Sequence, residues 1–207
     1  LNCGFRLAFI GETDYPCISS ERLGVGRTYV KLDERPRDDG GYRAWVQNLQ
    51  RGRAYCGDGR SHVLAFTVDG HTSGADDLAL TRAGPVVIEA RIAARLEPQI
   101  SAETEEIRQA STGEWASGWH LEKSRIGATR EVMVDLIVNG EAVARQPLLA
   151  DGTPRTLKWR QHLAHSSWVA VRILPSVHSN PVFVLIARQP IRASKRSALW
   201  CRSCVDK

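Results

Sequence analysis

The stretch that most constrains the fold is VVIEARIAARLE, residues 86 to 97, in which apolar and charged side chains alternate. A helix would spread the charges around its circumference, whereas a strand places them all on one face. The stretch therefore predicts a β-strand with one face in a core and the other in solvent. The predicted inward set is Val86, Ile88, Ala90, Ile92, Ala94 and Leu96.

Several other stretches between residues 61 and 192 have the strand period. HVLAFTV (62–68) alternates and predicts that Leu64, Phe66 and Val68 share the inward face. EVMVDLIVNGEAVARQ predicts a hairpin that turns at Asn139-Gly140, because a type I′ turn needs positive φ at both positions. TLKWRQHL, SWVAVRIL and PVFVLIA predict three more strands, the last one central. About seven strands separated by turns predict a β-sandwich over 61–192.

Two segments depart from this pattern. The polar stretch ISAETEEIRQASTGEWASG (100–118) predicts a surface insertion with one helical turn. Residues 193–207 predict a C-terminal helix with Ser194 as its N-cap. Cys201 and Cys204 would lie on neighbouring turns of this helix, since one C-x-x-C without a second pair or flanking histidines does not indicate a zinc site. The odd count of five cysteines also argues against a disulfide framework.

Residues 1–60 read as mixed α/β. Phe5 to Ile10 and GVGRTYVKL (24–32) predict strands. YRAWVQNLQRG (42–52) predicts a helix that presents an apolar face and ends at Gly52. The chain is therefore expected to be α+β and mostly β, with an α/β segment (1–60), a sandwich (61–192) and a terminal helix (193–207).

Composition limits the classes of partner. Hydrophobic residues make up 43% of the 207 residues and charged residues 25%, an ordinary globular balance, and no run of about 18 apolar residues suggests a membrane span. The net charge of +5 permits an anionic partner. Basic residues are nevertheless dispersed, without a nucleic-acid-binding module or a basic face with stacking aromatics. We expect neither a nucleic-acid nor a membrane partner.

The candidate metal ligands are Glu12 and Asp14, which directly follow the predicted strand at 5–10. Carboxylates just past the C-terminal end of a barrel strand suit a divalent metal, as hard oxygen donors on a rigid support. Asp14-Tyr15-Pro16 is equally typical of a turn. The six histidines form no H-x-H, H-x-x-x-H or H-E-x-x-H pattern, so the sequence contains no complete catalytic set.

Three further residues are candidates for a substrate or site loop. His178 lies in PSVHSNP, between two apolar strands, where it would otherwise cap a turn. Arg53 and Arg60 lie in the basic, glycine-rich stretch RGRAYCGDGR, which suits either an anionic ligand or a solvated loop. If the chain is a binding module, an aromatic residue such as Trp115 or Trp119 is expected to be exposed. The remaining tryptophans are expected in the core: Trp45, Trp159, Trp168 and Trp200.

Six blocks in this order resemble the C-terminal part of the carbaryl-hydrolase-like (CehA/McbA-type) metallohydrolases of the PHP (polymerase and histidinol phosphatase) superfamily. The blocks are LNCGFRL, GRTYVKL, AWVQNLQRGRAYCGDGRSH, WHLEKSRIGATREVMVDLIVNGEAVAR, SSWVAVRILPSVHSNPVFVLI and PIRASKRSALWC, and they are distributed along nearly the whole chain, from residue 1 to residue 201. The resemblance implies that residues 1–60 are the last strands and helix of a PHP-type α/β barrel. It also implies a divalent metal (Zn, Mn or Fe) that activates water to hydrolyse an ester, amide, carbamate or phosphoester-type bond of a small-molecule substrate.

Two departures from the family pattern limit what this chain is expected to do. GETDYP has no histidine after Asp14, and the His-x-His of the family does not occur in the chain. We therefore expect the chain alone to be an inactive fragment, with a homodimer possible through the exposed barrel-remnant face. The alternative is a non-catalytic β-sandwich module that binds a carbohydrate or a protein partner.

Overall fold

A computed structural model describes residues 1–13, 23–33, 40–110 and 119–206. Asp14 and Trp115 lie outside these residues. The helices are α1 Gly40–Arg51, α2 Ala102–Gln109 and α3 Lys195–Val205, with a 3₁₀ turn at Leu121–Ser124. The strands are β1 Arg27–Val30, β2 Ala54–Gly57, β3 Ser61–Val68, β4 His71–Thr72, β5 Leu78–Leu80, β6 Gly84–Ala94, β7 Glu131–Val138, β8 Glu141–Leu149, β9 Arg155–Leu163, β10 Ser167–Ile173, β11 Val177–Ser179 and β12 Val182–Ile186.

The described strands form two sheets. In the first sheet β7 lies on one side of β10 and also pairs with β8, while β11 and β12 lie on the other side of β10. The sheet continues from β11 through β2 to β1, and from β12 to β5. The second sheet has the order β4-β3-β6-β9. The main core contains the inward side chains of both sheets, which gives the sandwich arrangement predicted from the sequence.

Strand β6 confirms the alternation of residues 86–96. Val86, Ile88, Ala90, Ile92, Ala94 and Leu96 are all buried. The prediction for β3 is wrong at Leu64, which is exposed, while Val63 is buried. The pairing of β3 with β6 shifts by one residue between Val63 and Ala65, so Leu64 is the extra residue of a β-bulge.

Several local predictions are confirmed. Asn139 and Gly140 have φ of 54° and 94° and join β7 to β8. Strand β12 lies between β10 and β5, and Ser194 caps α3 by accepting a hydrogen bond from the N–H of Ser197. Within 100–118, α2 is eight residues long, more than the predicted single turn, and residues 111–118 lie outside the described part.

Among the tryptophans, Trp159 and Trp168 are buried as predicted, and Trp45 is half-buried. The prediction for Trp200 is wrong, since its side chain is 68% exposed on α3 and that helix has no buried residue. The apolar spacing of α3 therefore does not correspond to a core contact within the described residues.

Residues 1–60 contribute directly to the first sheet. Strand β2 pairs with both β1 and β11, and α1 precedes β2 and ends at Arg51, just before Gly52, which has a φ of 80°. The predicted strand at Phe5–Ile10 is wrong, because this segment joins no ladder. The barrel origin of residues 1–60 stays a prediction.

Candidate functional site

The N-terminal segment, residues 1–13, packs on the outer face of the first sheet. Leu1 packs with Trp168, Ile137 and Ile191 in a small second core. Asn2 accepts a hydrogen bond of 2.7 Å from Trp168 Nε1, and the Asn2 carbonyl accepts one from the N–H of Ala193. The segment therefore covers a sheet face that the second sheet does not reach.

Side chains replace a strand partner for part of this segment. The side-chain amide of Asn180 accepts from the N–H of Phe9 at 2.9 Å and donates to the Phe9 carbonyl at 3.1 Å. The Thr28 hydroxyl accepts from the N–H of Gly11 and donates to the Gly11 carbonyl, both at 2.9 Å. Because residues 9 and 11 both face these side chains, the segment is bonded along one edge as alternate residues of a strand would be.

The segment crosses a row of paired residues on the outer face. Thr28 pairs with Cys56, and Cys56 pairs with His178 on β11. The ring of Phe9 meets the His178 ring edge to face at 5.1 Å, and Cys56 Sγ lies 3.7 Å from the Phe9 carbonyl. His178, singled out in the sequence, thus lies under a segment more than 160 residues away in the chain.

These residues border a largely apolar cavity of about 310 Å³, which we call the His178 pocket. Trp119 and Leu174 form part of its wall, and their side chains are 40% and 56% exposed. Pockets of this size with mostly apolar walls and few polar groups are typical of small-molecule sites. The lining includes Phe9, Ile10, Cys56, Trp119, Leu174 and His178.

His178 supplies the main polar chemistry of the pocket. Its Nδ1 lies 2.8 Å from the carbonyl of Ser179, which only accepts, so Nδ1 carries the proton. Burial lowers the pKa of His178 below its ordinary value; the hydrogen bond to the Ser179 carbonyl opposes this shift, and the charge of Arg172 adds to it. The imidazole is therefore neutral at pH 7, and Nε2 is left as a hydrogen-bond acceptor.

Cys56 is not a nucleophile at neutral pH. Its side chain is buried, and burial raises the pKa of the thiol to about 11. The attacking species in cysteine chemistry is the thiolate, which is scarce at neutral pH under these conditions. Cys56 therefore acts as a small apolar wall whose S–H donates weakly to the Phe9 carbonyl.

Buried polar groups fix the pocket walls. The Glu122 carboxylate accepts two hydrogen bonds from Arg125, at 2.6 and 2.7 Å, and both side chains are almost fully buried. This pair holds the 3₁₀ turn that follows Trp119 and His120. Ser124 Oγ donates to the Leu174 carbonyl at 2.5 Å, which ties that turn to the opposite wall.

The turn after Leu174 has its own anchor. Asp58 Oδ1 accepts from Ser176 Oγ at 2.8 Å and from the N–H of Arg60 at 2.8 Å. Ser176 Oγ also bonds to Ser61 Oγ. Because Ser61 and Ser176 are fully buried, this network is structural and holds residues 174–178 against the β2–β3 turn.

The remaining candidates from the sequence do not join His178. Arg53 forms an ion pair with Asp33 at 2.7 Å and lines a separate cavity of about 270 Å³. Arg60 lies 3.6 Å from Glu97 and lines a third cavity of about 340 Å³. Both arginines are thus occupied by carboxylates of the chain, and each lies in a different cavity from His178.

Glu12 lies at the exposed end of the N-terminal segment. Its neighbour Thr13 accepts from the N–H groups of Gly24 and Gly26 at 3.0 and 3.3 Å. A Cβ at Gly26 would lie 2.3 Å from the Glu12 carbonyl oxygen, so this close approach requires glycine. Asp14 lies outside the described residues.

A divalent metal does not fit the residues that the structure describes. Within 1–13, 23–33, 40–110 and 119–206, no group of three or more His, Cys, Asp or Glu side chains is arranged to hold a metal ion. Glu12 alone supplies one carboxylate. In the same residues no helix has the length and apolar character needed to cross a bilayer.

Sequence reasoning missed Phe9, Cys56, Trp119 and Leu174 as neighbours of His178. The periodicity of single strands does not reveal which strands pair, and these residues meet only through the β2–β11 ladder and the crossing segment.

Comparisons of the chain with protein-family models, with curated proteins and with solved structures found no match.

Proposed function

We propose that this chain is the C-terminal segment of a metal-dependent hydrolase that cleaves an ester, amide, carbamate or phosphoester-type bond, as its resemblance to CehA/McbA-type enzymes implies. The observation that supports the proposal is the uncovered apolar surface of the N-terminal segment. Phe5, Leu7 and Ile10 are 58%, 60% and 57% exposed. Grouped exposed apolar side chains of this kind mark interaction surfaces.

The backbone of this segment supports the same proposal. Within the described part of the chain, residues 5 to 8 make no backbone hydrogen bond, although Phe9 and Gly11 are bonded along one edge. An open edge beside exposed apolar side chains is suited to pairing with another strand. In the proposed enzyme, barrel strands from outside this chain cover the segment and bring their own metal ligands close to Glu12.

The His-x-His of the resembled family does not occur in this sequence, so in the proposed enzyme those metal ligands come from residues outside this chain. We accordingly expect the 207-residue chain to show no metal-dependent ester hydrolysis. Hydrolysis by the purified chain that is lost on Asp14→Ala would contradict this expectation.

The alternative proposal is a non-catalytic β-sandwich module that binds a carbohydrate or a protein partner. The exposed Trp119 beside the His178 pocket favours it. The two proposals differ in what they expect of the chain alone. An uncovered barrel remnant is expected to self-associate, whereas a self-sufficient module is expected to stay monomeric.

Light scattering during size-exclusion chromatography separates these proposals. If the chain is a segment of a hydrolase, it is expected to self-associate at about 100 μM. Leu7→Lys is then expected to make it monomeric, because the lysine charge would be buried in the contact. Val205→Lys is the matched control, since Val205 is also exposed but lies at the end of α3. A wild-type chain that is monomeric at this concentration would favour the binding module.

A further inference from the structure

The His178 pocket has the features of a preformed ligand site that does not need a metal. Its walls come from the N-terminal segment, β2, Trp119 two residues before the 3₁₀ turn, the β10–β11 turn and β11. Two of these walls are held by hydrogen bonds: the part-buried bonds of Asn180 to Phe9, and the exposed bond of Ser124 to the Leu174 carbonyl. Walls fixed before binding reduce the entropy that a ligand must overcome.

The chemistry of the lining restricts the ligand. Apolar side chains dominate, and covering the exposed surfaces of Trp119 and Leu174 with a ligand would be favourable. Two aromatic residues of the lining, Phe9 and Trp119, favour a planar ring through edge and offset stacking. A carbohydrate, which carries many hydroxyl groups, would leave most of them without a partner in such a site.

The polar groups of the pocket restrict the chemistry of the ligand further. The Cys56 thiol is directed to the Phe9 carbonyl, and His178 Nδ1–H is directed to the Ser179 carbonyl. Within the described residues no group donates to His178 Nε2, which leaves it as an acceptor. The matching ligand therefore carries a single N–H or O–H donor.

We propose that the His178 pocket binds a small planar aromatic molecule that carries one N–H or O–H group, and that this group donates a hydrogen bond to His178 Nε2. The ring packs between Phe9 and Trp119. This inference goes beyond the proposed hydrolase, because it requires only residues of this chain and no catalytic step.

The test is calorimetric titration of the 207-residue chain with indole and with indene, two bicyclic molecules of nearly the same shape. Indole has an N–H where indene has a methylene group. Indole is expected to bind at one site, and indene about five- to tenfold more weakly, because it lacks one hydrogen bond. Saturable binding of neither probe, or equal binding of both, would overturn the proposal.

Two variants locate the site. His178→Phe is expected to abolish the preference for indole over indene, whereas the matched His62→Phe variant retains it because His62 lines a different cavity. Trp119 is half-exposed, so Trp119→Ala is expected to weaken the binding of both probes about tenfold or more, because the ring of each probe packs against Trp119. Unchanged indole binding in folded Trp119→Ala protein would place the probe elsewhere and refute the site. These outcomes are independent of the hydrolase proposal, which concerns metal content and self-association.

Discussion

Replacing Arg125 by methionine is expected to destabilise the protein strongly. Arg125 donates two hydrogen bonds to Glu122 and one each to the carbonyls of Thr129 and Glu97. Methionine fills much of the same volume but donates none of these bonds. Among the described residues, the Glu122 carboxylate, which is 2% exposed, would then accept a hydrogen bond only from the N–H of Glu97, at 3.1 Å.

The magnitude follows from the burial of the pair. Removing one partner of a buried ion pair leaves an uncompensated charge and costs about 3–5 kcal/mol in the free energy of unfolding. For a domain of this size that corresponds to a fall in Tm of roughly 10 °C. Burial alone would raise the pKa of Glu122, but the hydrogen bonds from Arg125 and Glu97 hold it below its ordinary value. The charged form is therefore the one that Arg125 stabilises.

Urea unfolding followed by tryptophan fluorescence measures this cost. Arg108→Met is the matched control, because Arg108 and Glu105 have the same i,i+3 spacing at 3.1 Å but are partly exposed. Its cost is expected to be below about 0.5 kcal/mol. Replacing both members of the buried pair, Glu122→Leu with Arg125→Met, should recover most of the loss. A cost for Arg125→Met no larger than that of Arg108→Met would refute the reasoning.

Two further predictions concern the pocket and the segment above it. Burial lowers the pKa of His120 and His178 from 6.5, so the unfolded chain takes up protons first and stability falls as the pH drops below about 6.5. His178→Asn should reduce the stability difference between about pH 7.5 and 5.5, measured by urea unfolding. Asn180→Ala removes both hydrogen bonds to Phe9 and should increase the amide exchange of Phe9 about tenfold or more.

Each of these two predictions has a matched control variant in the same chain. His165 is exposed, so His165→Asn tests whether any histidine replacement alters the pH dependence. An equal effect of the two replacements would contradict the role of burial at His178. Ser73 donates to the backbone carbonyl of Asn180 and not to its side-chain amide, so Ser73→Ala should leave the amide exchange of Phe9 unchanged. Equal exchange in both variants would show that the Asn180 amide does not hold the segment.

The elements that the sequence predicts well are those set by local patterns. The alternation in β6 and the Asn139-Gly140 turn depend on neighbours within a few residues, and both are confirmed. The bulge at Leu64 is different, because an extra residue in one strand is defined only by its pairing with another strand. The period of β3 alone therefore assigns Leu64 to the wrong face.

The N-terminal segment and the pocket show the same limit at longer range. Leu7 to Ile10 has a strand-like composition, yet Asn180 and Thr28 side chains take the place of a neighbouring strand. The surroundings of His178 depend on the register of β2 with β11, which pairs Cys56 with His178. Neither contact follows from composition or period, so the sequence identifies His178 as a candidate but not its partners.

The proposed origin in a metal-dependent hydrolase is tested most directly by metal content, measured by mass spectrometry on the 207-residue chain and on a version extended upstream along its gene. Stoichiometric divalent metal is expected in the extended protein and not in the shorter chain, and Asp14→Ala in the extended protein should lower it. An extended protein without metal would contradict the proposal and leave ligand binding by the sandwich as the function. Stoichiometric metal in the 207-residue chain would contradict the assignment of the ligands to residues outside it.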